Sequence, residues 1–131
     1  KSVQAFLVDA REWLAANRDV AAISSQLDQL AESLDMLDSL TAELIAQAGG
    51  DANAISASAC EYLDVFGYVV YAWLWARMLA VAAQYPDQPL QSAKLITGQF
   101  YFERLLPKAK SLAEQMRAGS GTMMSLPVEA F

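Results

Sequence analysis

VAAISSQLDQLAESLDMLDSLTAELIAQA, residues Val20 to Ala48, decides the fold. Val20, Ile23, Leu27, Leu30, Leu34, Leu37, Thr41, Leu44 and Ala48 follow one another in steps of three and four, the spacing that aligns side chains along one face of an α-helix. Asp28, Glu32, Asp35, Asp38 and Glu43 take the other faces. The stretch therefore predicts a long amphipathic helix with an acidic outside.

Upstream, Phe6, Ala10, Trp13 and Ala16 form a similar stripe. A break is expected near Asn17-Arg18-Asp19, where the Asp19 carboxylate has the chemistry to cap a new helix start. Downstream, breakers fall at Gly49-Gly50-Asp51, at Tyr85-Pro86-Asp87-Gln88-Pro89 and at Gly119-Ser120-Gly121. Gly suits the residue after a helix and Pro the first turn of the next, so the segments between them read as helices. The second long segment runs from about Asp51 to Gln84, and between Val65 and Ala83 its only charge is Arg77. Apolar residues on every face mark either the most buried helix of a bundle or a membrane span. The charge-free run Val65 to Ala76 falls short of the roughly 18 to 20 residues a bilayer core requires. Tyr71, Trp73 and Trp75 sit in mid-segment instead of forming two interfacial belts. The buried helix is the better reading.

The third long segment, about Gln88 to Ala118, carries Leu95, Phe102, Leu105, Ala109, Leu112 and Met116 as its stripe, and Pro107 should bend it or open one backbone hydrogen bond. The expected fold is all-α: an up-and-down antiparallel four-helix bundle of three long helices plus a shorter N-terminal helix. Residues 1–122 make the bundle and residues 123–131, with Pro127 and no helical period, an extended tail.

Composition agrees. The 131 residues are 55% hydrophobic, and their 24 Ala and 17 Leu outweigh six Gly and four Pro, a bias toward strong helix formers. A chain of this size buries enough surface to hold a core without disulfides, and the lone Cys60 has no partner in any case. With no His, the zinc-finger, Ser-His-Asp and Cys-His chemistries are excluded, as are the Glu-x-x-His pairs of carboxylate metal bundles. No metal is expected. An acidic pI near 4.4 argues against nucleic acid as a partner, since phosphate binding draws on clustered cations. Lys1 opens without an initiator Met, no signal peptide is visible, and a cytoplasmic piece of a longer chain is expected.

Charge is divided unevenly: residues 1–64 carry a net -8 and residues 65–131 a net +2. The last helix concentrates Lys94, Arg104, Lys108, Lys110 and Arg117. Most of these are expected on a solvated face with local pairs such as Lys110 to Glu114, drawn toward the acidic helix. Glu61 and Asp64, one turn apart, are the remaining acid/base candidates, and acids in the opening turns of a helix ordinarily serve its dipole. Cys60, without neighbouring cations to activate it, is expected to be a small buried apolar residue. The aromatics Tyr62, Phe66, Tyr71, Trp73 and Trp75 are expected in the core, and Gly67 at a close approach between helices. Gly119-Ser120-Gly121 lacks the Lys and helix of a phosphate loop. These residues make no self-sufficient active site.

Three stretches carry a resemblance. Glu61 to Met78 reads as YLxxFGxVxxxWxxARM, Lys94 to Pro107 as KLxTxxFYxxRLLP, and Leu126 to Phe131 as LPxEAF. In this order they resemble the extra C-terminal helical domain of long bacterial acyl-CoA dehydrogenases, of the 3-methylmercaptopropionyl-CoA dehydrogenase type, over about residues 20 to 131. Gly98 departs from the pattern, which has Ala there. The resemblance implies an accessory domain: FAD and acyl-CoA bind in the parent's catalytic core, whose catalytic Glu has no counterpart here. This chain is then expected to bind no cofactor, to contribute no catalytic residue and to be inactive alone. It would pack on the catalytic core and support a homodimer or the surroundings of the CoA end. The candidate contact residues are Lys94, Phe100, Tyr101, Arg104, Lys108 and Phe131. The alternatives are a free-standing helical interaction domain, working through LPVEAF or the acidic helix, and a peripheral membrane attachment bundle.

Overall fold

The acidic heptad stretch folds as α2, Ser24–Gln47, within an all-α four-helix bundle. The structure, a computed structural model, describes residues 2–47, 52–118 and 127–130. α1 spans Val3–Asn17, α3 Ala52–Ala82, α4 Pro89–Phe100 and α5 Pro107–Ala118, with α4 and α5 joined end to end as the fourth arm. Each arm packs on the next in sequence, and α3 also packs against α5. Two breaker clusters, Gly49-Gly50-Asp51 and Gly119-Ser120-Gly121, lie outside the described residues, as does most of the tail. Within the tail, Val128–Ala130 form one 3-10 turn where no helical period was expected.

α1 starts on Ser2, whose hydroxyl accepts from the Ala5 N–H and satisfies one orphan donor of the first turn. It ends at Asn17, as the break near Asn17-Arg18-Asp19 requires. Asp19 does not cap the next helix: a 3-10 turn, Ala21–Ile23, intervenes and Val20 stands at its start with no side-chain cap. α1 and α2 then run antiparallel, laced by Arg11 to Asp35 at 2.8 Å and to Asp38 at 3.1 Å, and by Arg18 to Asp28 at 2.8 Å. The acidic outside of α2 thus serves partly to hold α1. α1 buries Leu7, Ala10 and Leu14, one step around from the expected stripe, and Ala16 is exposed.

The core is formed by Ile23 of the 3-10 turn and Leu27, Leu30, Leu34, Leu37 and Leu40 of α2 against Val65, Val69, Ala72, Ala76 and Leu79 of α3, closed by Phe102, Ala109, Ala113 and Met116. Each large aliphatic side chain so buried contributes roughly 1.5 to 3 kcal/mol relative to exposure. Thr41, buried on the heptad stripe, donates to its own Leu37 carbonyl at 2.7 Å and lies 2.8 Å from the Tyr62 hydroxyl. Phe6 of α1 packs on Phe66 and edge-on to Trp73, fixing α1 against α3.

Between α4 and α5 the chain makes a π-helical turn, Tyr101–Leu105, in which the Leu106 N–H donates to the Tyr101 carbonyl at 2.9 Å. Pro107 comes next as the first residue of α5. Proline has no N–H and its ring collides with the carbonyl four residues back, so a wider turn ahead of it relieves both problems. The expected disturbance at Pro107 therefore takes the form of one π turn.

The close approach between helices expected at Gly67 is found at Gly98 instead. Among the described residues a β-carbon on Gly67 would meet nothing within 4 Å, so no described helix approaches there; Gly98 is the close contact, lying against Leu79.

Candidate docking surfaces

Chemistry-bearing side chains do not converge. α3 begins at Ala52, so Glu61 and Asp64 lie beyond its opening turns and outside the reach of its dipole, which corrects the expected capping role. Asp64 is exposed, and Glu61 is half-buried with Oε2 unbonded. Cys60 is exposed, not buried. Among the described residues no cluster of three or more Asp, Glu, Cys or His is placed to hold a metal.

Tyr101 is committed to the bundle's own interior. It is only 6% exposed, its hydroxyl donates to the Tyr68 carbonyl at 2.6 Å, and its ring stacks on Trp75. Burial, and next the nearby Tyr68 and Tyr71, raise its pKa above the usual phenol value. Phe100, by contrast, is 52% exposed, and with Ile96, Arg104 and Lys108 it steps by fours along the outer side of the fourth arm. Lys94 is half-buried on another flank. The candidates therefore divide into an outer face of Phe100, Arg104 and Lys108, a side residue Lys94 and an internal residue Tyr101; Phe131 lies outside the described residues.

No ion pair joins Lys110 to Glu114 among the described residues; both line an open groove of about 700 Å³ between α2 and α5, over Ser33, Met36, Phe102 and Leu106. The attraction between the last helix and the acidic one is met by Arg117 and Glu43 at 3.2 Å. A second open groove, about 610 Å³, has Leu74, Met78 and Val81 of α3 as its floor, Trp13 and Asn17 on one side and Gln91 and Lys94 on the other.

That floor belongs to a feature missed in the sequence. Tyr71 is 60% exposed, and Leu63, Leu74, Met78 and Val81 are exposed with it, as is Tyr85 just past the helix end, so α3 is apolar on a face that the bundle leaves uncovered. Tyr71 is not a core aromatic, whereas Tyr62, Phe66, Trp73 and Trp75 pack against the core as expected. From Ser58 to Ala82 this helix has the length and composition to cross a membrane, although its inner side is built into the core. Apolarity on all sides hid the second stripe: Asp64, Gly67, Tyr71, Leu74, Met78, Val81 and Tyr85 are spaced by three and four, as a partner-facing seam is.

Both grooves are open troughs, and the buried hydroxyls of Ser33 and Thr41 donate to backbone carbonyls of their own helix. The chain matches the family described as Acetyl-CoA dehydrogenase C-terminal like over residues 1–127, and it belongs to that family. No curated protein and no solved structure matches it.

Proposed function

We propose that this chain is the accessory C-terminal domain of an FAD-dependent acyl-CoA dehydrogenase, of the 3-methylmercaptopropionyl-CoA type, in the cytoplasm. It packs on the catalytic core and supports the homodimer or the CoA-end surroundings without supplying a catalytic residue. The observation that carries the reading is the family match across nearly the whole chain. The geometry supports a docking face in Ile96, Phe100, Arg104 and Lys108: two exposed apolar side chains beside two cations that form no ion pair among the described residues. Apolar anchors with a charged rim are the usual anatomy of a protein contact. FAD would be held by the parent's core alone.

The test is made in the full-length enzyme. With Phe100→Asp and Arg104→Glu together, the domain should unfold in a thermal transition separate from that of the core, and KM for acyl-CoA should rise several-fold. Unchanged melting, oligomeric state and KM would count against the reading.

A further inference from the structure

The uncovered seam of α3 carries its own account of what covers it. Asp64, Gly67, Tyr71, Leu74, Met78 and Val81 alternate steps of three and four over roughly 26 Å of α3, at 1.5 Å per residue, and Tyr85 follows just past its end. Its charges are segregated along that length. Asp64 stands at the N-terminal end, while the C-terminal half forms the apolar groove whose only charged lining residues are Arg77 and Lys94. Neither cation makes an ion pair among the described residues; Arg77 instead lies 4.8 Å from the centre of the Trp73 ring, which fixes it beside the groove.

We propose that the α3 seam pairs with the α3 seam of a second copy of this chain, antiparallel. Laid parallel, the two seams would place Asp64 against Asp64 and Arg77 beside Arg77. Laid antiparallel about a twofold axis between Tyr71 and Leu74, they interleave in the a-to-d layers of an antiparallel coiled coil. Tyr71 then meets Leu74 of the other copy, and Met78 enters the open space over Gly67, where a β-carbon would meet nothing within 4 Å. Asp64 comes to Val81 of the other copy, at the mouth of the groove flanked by Arg77 and Lys94. The same match is made twice, once at each end. The glycine that no described helix of its own bundle approaches receives the methionine.

This deepens the dimer-supporting part of the proposed function but is independent of the core-docking face on α4 and α5, so either can fail alone. The test uses the 131-residue chain, with its mass and dimer dissociation constant measured by light scattering and sedimentation and its fold checked by circular dichroism. The native chain should dimerise, and Leu74→Glu with Met78→Glu should leave a folded monomer. Asp64→Arg and Arg77→Asp should each raise the dissociation constant at least tenfold, and the double variant should recover most of the loss. A chain monomeric at hundreds of micromolar would overturn the proposal. So would a dimer indifferent to either charge reversal, a double variant no better than the singles, or a chain that sediments with lipid vesicles through this face and does not dimerise.

Discussion

Gly98 lies directly against Leu79, so that a β-carbon at position 98 would stand 2.8 Å from Leu79 Cγ. Leu79 is fully buried and has little room to withdraw. Gly98→Ala gains about 1 kcal/mol of helix propensity and meets an overpacking penalty of roughly 1 to 3 kcal/mol, so a net loss of about 1 kcal/mol is expected in denaturant unfolding. In a Leu79→Ala background the obstruction is gone, and the same substitution should stabilise. No change of sign between the two backgrounds would refute the contact.

Gly67 makes the opposite case. With nothing near its missing side chain, Gly67→Ala should raise stability by about 1 kcal/mol, through propensity and a less flexible unfolded chain. Thermal unfolding at high dilution, where each chain is alone, is the measurement.

Tyr101 links the π turn to α3 through its 2.6 Å bond to the Tyr68 carbonyl. Tyr101→Phe should lower stability by about 1 kcal/mol at neutral pH. A phenol whose folded pKa lies above its unfolded value of 10.0 contributes stability that is complete below pH 10 and is lost as pH rises past it, because the unfolded chain ionises first. Unfolding followed from pH 9 upward should show this alkaline loss in the native chain and a smaller one in Tyr101→Phe.

Asp38 accepts from Gln4 and from Arg11, and these two bonds hold its pKa below the carboxylate value of 3.8. Its contribution is present above that value and lost as pH falls through the lower folded one. Acid unfolding curves of Asp38→Asn should therefore be flatter below pH 4 than those of the native chain. Identical acid limbs would show that the pair joining α1 to α2 adds nothing.

How far the sequence could be read depended on contrast between faces. In and just before α2 acids occupy the faces between the apolar residues of the stripe, and Ile23, Leu27, Leu30, Leu34 and Leu37 are buried as the spacing requires. α3 lacks that contrast: Val65 and Val69 face in, Tyr71 and Val81 face out, and composition does not distinguish them. The same loss explains Cys60 and Tyr71, both assigned to the interior. A helical glycine announces space without saying whether a neighbour fills it, hence the close approach expected at Gly67 and found at Gly98. The basic face was legible as charge along the last helix, but not the helical rotation that turns Tyr101 inward beside buried Gly98 while Phe100, Arg104 and Lys108 stay outside.

The π turn has a further consequence. Such a turn holds one residue more than an α-helix uses to climb the same height, and each residue of α-helix rotates the chain by about 100°. A related chain lacking one residue between Tyr101 and Leu105, with something other than proline at position 107, could run straight from α4 into α5 and still present Ala109, Ala113 and Met116 to α3. Aligned as strings, the two would differ by a gap in mid-helix, a place where gaps are ordinarily read as error. Here the gap would be silent in shape, and alignments of this family should admit it.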